Sequence, residues 1–226
     1  MVATPRTIRA LKANSRSARS LRLAKSPRGL FDHIEPMNAR RLLLAAMTAF
    51  AHHGYHATTT REIASLAGLS PAALYTHYPT KAAIFYEISL VGHDYILMLT
   101  RQALEGTTDP QEKVARMVRA SVTYHAEEVT LTRVVNTEFR GALQKNQLAT
   151  IRKIRHEISS VVREVLEEGV ASGVFKVNNV HGATIALLRL VDVSSWFNPV
   201  AGMSPEELAD VFVDLSLAML RATDTP

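Results

Sequence analysis

Residues 58–81 read TTTREIASLAGLSPAALYTHYPTK, and this short stretch decides how the chain folds. Thr59, followed three residues later by Glu62, is a capping box and predicts the start of a helix. Gly68 ends that helix, and Ser70-Pro71 supplies an N-cap and a proline for the first position of the next one. Two short helices joined by a three-residue turn that contains glycine predict a helix-turn-helix.

Longer helices are predicted on both sides of this motif. Before it, apolar residues recur at i, i+3, i+4 and i+7 on one face, at Leu43, Ala46, Met47 and Phe50. That helix stops near Gly54. After the motif, Pro79 ends the second short helix and Thr80 caps a long helix that begins at Lys81.

The remainder of the chain also predicts helices, and no strand pattern occurs in it. The expected helices cover residues 81–105, 109–124, 128–140, 144–171, 180–197 and 204 onward. The last one carries its apolar stripe at Leu208, Val211, Phe212, Leu215 and Met219, with Asp210 and Asp214 facing away. The sequence therefore predicts an all-α fold.

The composition excludes several functional classes. The 226 residues include no cysteine, which removes disulfide frameworks, Cys-ligated zinc and thiol catalysis. No glycine-rich phosphate loop or nucleophile elbow is present, so we expect no enzyme and no cofactor. His52 and His56 have the i, i+4 spacing of metal ligands, but no glutamate lies between them and the helix ends there, so no metal site is expected. The absence of cysteine also fits a reducing cytoplasm, and no apolar run is long enough to cross a membrane, so we expect a soluble, cytoplasmic protein.

The net charge of +5 is distributed unevenly. Residues 1–31 hold eight Lys or Arg and no acid, whereas residues 87–226 hold 14 basic against 18 acidic side chains. Four interpretations of this basic arm stay open: an extension that contacts DNA, a solvated tail, a targeting peptide, or an upstream start with Met37 as the true beginning.

The motif region closely resembles the DNA-binding signature of the tetracycline-repressor (TetR) family of bacterial regulators. The resemblance is carried by residues 54–64 and 67–70, Leu74-Tyr75, Tyr78 and Lys81. It implies a homodimer whose N-terminal three-helix domain binds a palindromic operator in double-stranded DNA. It also implies a helical C-terminal domain that dimerises and binds a small effector, which releases the DNA. We expect a basic arm at 1–36, the DNA-binding domain at 37–86 and the effector domain at 87–226.

The same resemblance implies which residues contact DNA. They are Thr59, Thr60, Arg61, Ser70, Pro71, Ala72, Ala73, Tyr75, Thr76, His77, Tyr78 and Lys81. Arg61 can pair with guanine, while Tyr75, His77 and Lys81 match positions that touch phosphates. For Tyr78 the alternative of core packing is favoured. Ala72 and Ala73 carry no long polar side chain, so specificity there would rest on thymine methyl groups, Thr76 or DNA shape.

The last two predicted helices indicate how the protein assembles. Residues 183–191 are apolar almost all round, so this helix needs cover on more than one side. Pairing it and the final helix with their copies gives a four-helix bundle across a twofold axis, as the resemblance implies.

The effector domain is loosely similar to regulators of steroid and fatty-acid breakdown, which sense acyl-CoA thioesters. The stretches that carry this similarity are residues 167–175, 196–199 and 204–207. The ligand-binding candidates are Met98, Met117, Tyr124, Asn136, Phe139, Arg140, Arg189 and Trp196. Each has a structural alternative, since apolar side chains at helical spacing are commonly core and Arg189 can pair with Asp192.

Two other functions stay open at this point. The chain could be a constitutive, architectural DNA-binding protein without an effector, in which the basic arm supplies sequence-independent affinity. It could also be a helical small-molecule carrier or an enzyme that does not bind DNA.

Overall fold

The computed structural model describes residues 23, 25–193 and 202–221, without the side chains of residues 137–142. The described residues form nine α-helices and no strand, which confirms the predicted all-α fold. The helices are α1 (Met37–Ala57), α2 (Thr60–Leu66), α3 (Pro71–His77), α4 (Lys81–Gln102), α5 (Pro110–Glu127), α6 (Val129–Ala142), α7 (Lys145–Ala171), α8 (Val180–Leu190) and α9 (Pro205–Leu220).

The chain divides into two compact units. The first comprises Met1–Ser89 and Arg133–Gln144, and the second comprises Leu90–Thr132 and Lys145–Pro226. Helices α4 and α6 each contribute residues to both units. The domain boundaries expected at residues 36 and 86 stay a prediction.

Short-range capping positions the helix starts where the sequence places them. The Ser70 hydroxyl accepts a hydrogen bond from Ala73 N at 3.1 Å, and the Asp109 carboxylate accepts one from Gln111 N at 3.0 Å. At α9 the capping box is complete, because Ser204 N also donates to the Glu207 carboxylate at 2.8 Å. These bonds satisfy backbone N–H groups that a helix start otherwise leaves without a partner.

The observed helix ends agree less well with the bounds predicted from the sequence. Helix α8 ends at Leu190, whereas the apolar run predicted a helix to residue 197. A turn follows, in which Val193 N donates to Val191 O, and residues 194–201 lie outside the described part of the chain. The short helical pieces expected over residues 128–140 form one helix, α6.

Gly54 interrupts the helical backbone near the end of α1. Its φ of 75° and ψ of 161° are open to glycine and costly for other residues. His52 and His56 therefore do not share one helical face across it. In the part of the chain that the structure describes, no group of three His, Cys, Asp or Glu side chains is arranged to hold a metal ion.

Among the described helices, α4 alone is long and apolar enough to cross a membrane by length and composition. The core helix of a globular protein passes the same test. Ile84, Phe85 and Ile88 on α4 are fully buried, and the Phe85 ring packs edge-on against Tyr55 with 5.4 Å between ring centroids. The first part of α4 therefore behaves as a core helix.

In the second unit, α9 packs along α5, and α7 and α8 close the same core. Helix α9 buries Leu208, Ala209, Phe212 and Val213, while Val211 is 43% and Leu215 51% exposed. Of the apolar stripe predicted for α9, Leu208 and Phe212 thus pack in the core of the second unit, while Val211 and Leu215 lie on the exposed side of the helix. Because the helix is apolar on two faces, its sequence did not distinguish the face that packs internally.

At Gly169, helix α7 lies very close to the side chain of Phe175. A Cβ atom on this glycine would lie 2.0 Å from Cδ2 of Phe175, whose ring is buried in the core of the second unit. The next contact, to Cε2 of the same ring, would be 2.3 Å. Only glycine leaves room for the ring at this position.

We expect Gly169→Ala to lower the free energy of unfolding by about 1–3 kcal/mol, because the added methyl group overpacks the core. Gly182→Ala in α8 is the matched control, since its Cβ would meet Asn179 at an ordinary distance of 3.4 Å. Thermal unfolding followed by circular dichroism compares the two. A Gly169→Ala protein as stable as Gly182→Ala would contradict this packing.

Candidate nucleic-acid interface

Helices α1, α2 and α3 enclose a small apolar core in the first unit. Helix α1 buries Leu42, Leu43, Ala46 and Met47, α2 contributes Ile63 and Ala64, and α3 contributes Leu74. The turn between α2 and α3 is closed by Leu69 N, which donates to Ala64 O at 2.9 Å. Gly68 in this turn has a φ of +68°, a left-handed conformation that glycine adopts without strain.

The outer surface of α2 and α3 carries most of the predicted contact residues. Those exposed are Thr59, Arg61, Ser70, Pro71, Ala72, Tyr75 and Thr76, and those partly exposed are Thr60, Ala73, His77 and Lys81. The two helices thus present hydroxyl, guanidinium and imidazole groups to solvent while their apolar sides are buried. That set of donors suits phosphate oxygens and base edges.

A hydrogen bond joins the two helices on this outer surface. Thr60 Oγ1 lies 3.0 Å from the Tyr75 hydroxyl, 15 residues further along the chain. The Tyr75 side chain is 53% exposed despite this bond. The ring is therefore held across the α2–α3 pair in an accessible position.

Three other side chains near this surface make local bonds. Thr59 Oγ1 accepts from Glu62 N at 3.2 Å and so caps α2, which is the Thr59 half of the predicted capping box. The Glu62 carboxylate lies 3.3 Å from His53 Nε2, an ion pair when the histidine is protonated. Thr76 Oγ1 donates to Ala73 O at 2.9 Å within α3, so contact with a base requires this hydroxyl to rotate.

Lys81 has a structural role that the sequence did not reveal. Its Nζ donates to Tyr55 O at 2.6 Å, Thr58 O at 2.7 Å and His56 O at 3.3 Å. It also lies 4.4 Å from the centroid of the Tyr55 ring. The ammonium group thereby supplies donors to the carbonyl groups at the end of α1, and a phosphate contact by Lys81 stays a prediction.

Tyr78 is buried, with 9% of its surface exposed, as its core alternative predicts. Burial, together with the nearby Glu87 carboxylate, raises the pKa of the Tyr78 hydroxyl to about 12. Burial thus supports the packing role that was favoured for Tyr78, and a DNA contact by its hydroxyl stays a prediction.

The predicted effector residues lie in different environments. Met117 and Tyr124 are buried, and the Tyr124 hydroxyl donates to Gly92 O at 3.1 Å. Met98 and Arg189 are exposed, and Asn136 is partly exposed. The side chains of Phe139 and Arg140, and all of Trp196, lie outside the described residues. Ligand contacts by these side chains stay a prediction.

A polar group that the sequence did not indicate lies in the second unit. His125 Nδ1 is 2.7 Å from Ser121 O, and His125 Nε2 is 3.9 Å from the Asp192 carboxylate. Burial lowers the pKa of His125, and Asp192 partly opposes this shift. Burial also lowers the pKa of Arg155, with a further contribution from the positive charge of Arg189. His125 and Arg155 are distant in sequence from Arg189 and Asp192, so no local motif could have linked them to that pair.

Two family models match most of the chain. The model described as "Bacterial regulatory proteins, tetR family" matches residues 42–88. The model described as "Tetracyclin repressor-like, C-terminal domain" matches residues 107–220. The first covers α2 and α3, and the second covers α5 to α9.

Individual relatives agree with these matches. The transcriptional repressor KstR2 of Mycolicibacterium smegmatis is 28% identical over 188 residues, which cover 81% of this chain and 91% of the relative. A tetR-family regulatory protein from Rhodococcus RHA1 has a solved structure with 35% identity, a TM-score of 0.78, and coverage of 84% of this chain and 100% of that one. AibR, solved with isovaleryl coenzyme A and operator DNA, shares the fold at 19% identity, with a TM-score of 0.72 and coverage of 82% and 100%. The chain belongs to the TetR family of bacterial transcriptional regulators.

Proposed function

We propose that this protein is a dimeric repressor that binds a palindromic operator and leaves it when an acyl-CoA thioester binds the second unit. The observation that carries the DNA part is the outer surface of α2 and α3, where Thr60 holds the exposed Tyr75 ring. The relatives described above are transcriptional regulators and not enzymes, which supports a binding function.

The side chains of the α2–α3 surface are suited to two different roles in DNA binding, namely base recognition and phosphate contact. Arg61 is exposed on the first turn of α2 and can donate two parallel hydrogen bonds to a guanine edge. Tyr75 and Ser70 carry hydroxyl groups that can donate to phosphate oxygens. Arg61 is thus the side chain that discriminates between bases, and the hydroxyl groups set the position of the protein on the duplex.

Exposed apolar side chains support the dimer. Ile185 on α8 is 48% exposed, and Val211 and Leu215 on α9 are 43% and 51% exposed, although the opposite face of α9 is buried in the core. Burying them against a second copy removes apolar surface from water, which stabilises an association. A twofold axis then relates two α3 helices, as a palindromic operator requires.

The effector class rests on the relatives. KstR2 of M. smegmatis is a repressor that matches over most of this chain, and the AibR structure contains both isovaleryl coenzyme A and operator DNA. An effector that binds only the DNA-free conformation shifts the population away from the operator complex. An acyl-CoA thioester is therefore the first effector class to test.

The proposal is tested by the binding of the purified protein to DNA from upstream of its own gene, with and without a panel of acyl-CoA thioesters, at one salt concentration. Fluorescence anisotropy should show tight binding of one fragment and its release by one thioester, but not by coenzyme A alone. If the fragment binds but no thioester releases it, the proposed effector class would be contradicted, while the proposal of a DNA-binding regulator would stand. Equal affinity for random DNA would contradict the regulator itself.

Arg61→Ala should lower affinity for the operator and reduce the preference at one base pair of each half-site by about 1–3 kcal/mol, because the two hydrogen bonds to the base are removed. Arg152→Ala, an exposed arginine of α7, changes the net charge equally and serves as the control. Competition assays with operators altered at single positions measure the effect. An equal loss of affinity on every sequence would assign Arg61 to phosphate instead.

The variants Tyr75→Phe and Lys81→Met should distinguish a side chain that contacts DNA from one that stabilises the fold. Tyr75→Phe removes one hydroxyl group and should weaken binding to all sequences with little change in melting temperature. Lys81→Met leaves three carbonyl groups without their charged donor and should destabilise the protein by about 1–3 kcal/mol. Calorimetry and anisotropy on both variants distinguish the roles. A Lys81→Met protein that melts like the parent but binds DNA weakly would show that Lys81 acts on phosphate.

A further inference from the structure

Residues 37–86, which include the helix-turn-helix, carry four basic side chains and one acidic side chain. The basic ones are Arg40, Arg41, Arg61 and Lys81, and the acidic one is Glu62. The Lys81 ammonium group donates to carbonyl groups at the end of α1, and the Glu62 carboxylate lies against His53. The three arginines therefore determine how much positive charge this region offers to DNA.

Arg40, in the first turn of α1, is held by the residues that precede the helix. Most of the basic arm expected at residues 1–36 lies outside the described part of the chain, but its last residues contact α1. The Arg40 guanidinium group lies 3.2 Å from the Asp32 carboxylate and 3.4 Å from the Glu35 carboxylate. Its Nε also donates to Ile34 O at 3.4 Å. The charge of Arg40 is therefore balanced within the fold.

Arg41, the next residue of α1, has no such partner. Its side chain is exposed, and within the residues that the structure describes no hydrogen bond or ion pair involves its guanidinium group. An arginine side chain has five N–H donors and stays charged in proteins. Arg41 therefore has its full set of donors for an anion from outside the chain.

The Arg41 side chain lies over the turn that joins α2 to α3. A Cβ atom on Gly68, in this turn, would be only 2.9 Å from Arg41 Nη2, so the guanidinium group uses space that a glycine leaves open. Ser70, the N-cap of α3, follows two residues later. Because consecutive Cα atoms are about 3.8 Å apart, Arg41 Nη2 lies within about 12 Å of the Ser70 Cα atom.

The start of α3 is the part of this motif that comes closest to DNA when the operator is bound. In a helix-turn-helix the first residues of the second helix contact base edges, while the first helix crosses the phosphate backbone. The major groove is only about 12 Å wide, so a group beside the turn is near the phosphates at its edge. Residues 63–86 contain no carboxylate that competes for the guanidinium group of Arg41.

We propose that Arg41 binds a phosphate of the operator from α1, beside the turn of the helix-turn-helix. This inference rests on the proposed function and adds a contact residue that the motif resemblance does not include. A guanidinium group can donate two parallel hydrogen bonds to one phosphate. Such a contact fixes the position of a protein on the duplex and carries no sequence information itself. Arg41 thus helps to set where α3 lies along the groove, and base recognition stays with α2 and α3.

The first test measures how operator binding by Arg41→Gln depends on salt, with Arg152→Gln in α7 as a control of equal charge. Anisotropy at several salt concentrations gives the slope of log K against log[salt]. Arg41→Gln should lower the magnitude of this slope by about 0.9 for each lost phosphate contact, or about 1.8 for a dimer. Arg152→Gln should keep the parental slope, and Arg41→Lys, which keeps the charge, should recover most of it.

A purely structural role of Arg41 gives a different result. If the guanidinium group only packs on the α2–α3 turn, Arg41→Gln should lower the melting temperature and keep the parental slope. That combination would overturn the proposal, as would a variant that matches the parent in both measurements. The proposal expects a parental melting temperature together with the smaller slope.

The second test locates the phosphate. Operators in which one phosphate at a time is replaced by an uncharged methylphosphonate are titrated with the parent and with Arg41→Gln. At the phosphate that Arg41 binds, the replacement should weaken binding of the parent but not of the variant, because the variant has already lost the charge pair. Losses that add at every phosphate position would contradict a direct contact.

These measurements distinguish failure of the Arg41 contact from failure of the proposed function. A parent that prefers its operator to random DNA, with an unchanged slope in Arg41→Gln, would overturn the contact and leave the regulator intact. A parent that binds operator and random DNA equally, but whose slope Arg41→Gln still lowers, would support the contact and contradict the proposed function.

Discussion

The ammonium group of Lys81 connects three parts of the first unit. Helix α1 is interrupted at Gly54, and the carbonyl groups that follow need donors that the helix itself cannot supply. Lys81, the first residue of α4, donates to three of them and packs over Tyr55. The end of α1, the approach to α2 and the start of α4 are thereby fixed together. Helix α4 continues from this junction into residues of the second unit.

Local sequence rules were sufficient for the helix starts and for the helix-turn-helix. The side chains of Thr59, Ser70 and Ser204 cap helices where the motifs place them, because a cap depends on residues only three positions apart. The bond from Lys81 to Tyr55 O spans 26 residues, and no periodicity signals it. Phe31 is only 1% exposed. The sequence did not indicate this burial, because the surrounding basic residues led us to interpret residues 1–36 as a basic arm.

Helix α9 shows why side-chain roles in the second unit were harder to predict. It is apolar on two sides, one of which packs on α5 while the other leaves Val211 and Leu215 exposed. A single sequence cannot tell an internal face from an interface between copies, because both are apolar. The same ambiguity applies to the effector candidates: Met117 is a core residue, and nothing in its spacing separates a core methionine from one that lines a pocket.

The proposed regulator depends on two copies of α3, related by a twofold axis, that read the operator together. Selection of bound sequences from a pool of random duplexes tests this arrangement without assuming any operator in advance. A dimer of this kind should enrich an inverted repeat whose half-site centres are about 34–36 Å apart along the duplex, or a multiple of that distance. Enrichment of a single asymmetric site, or of none, would contradict it.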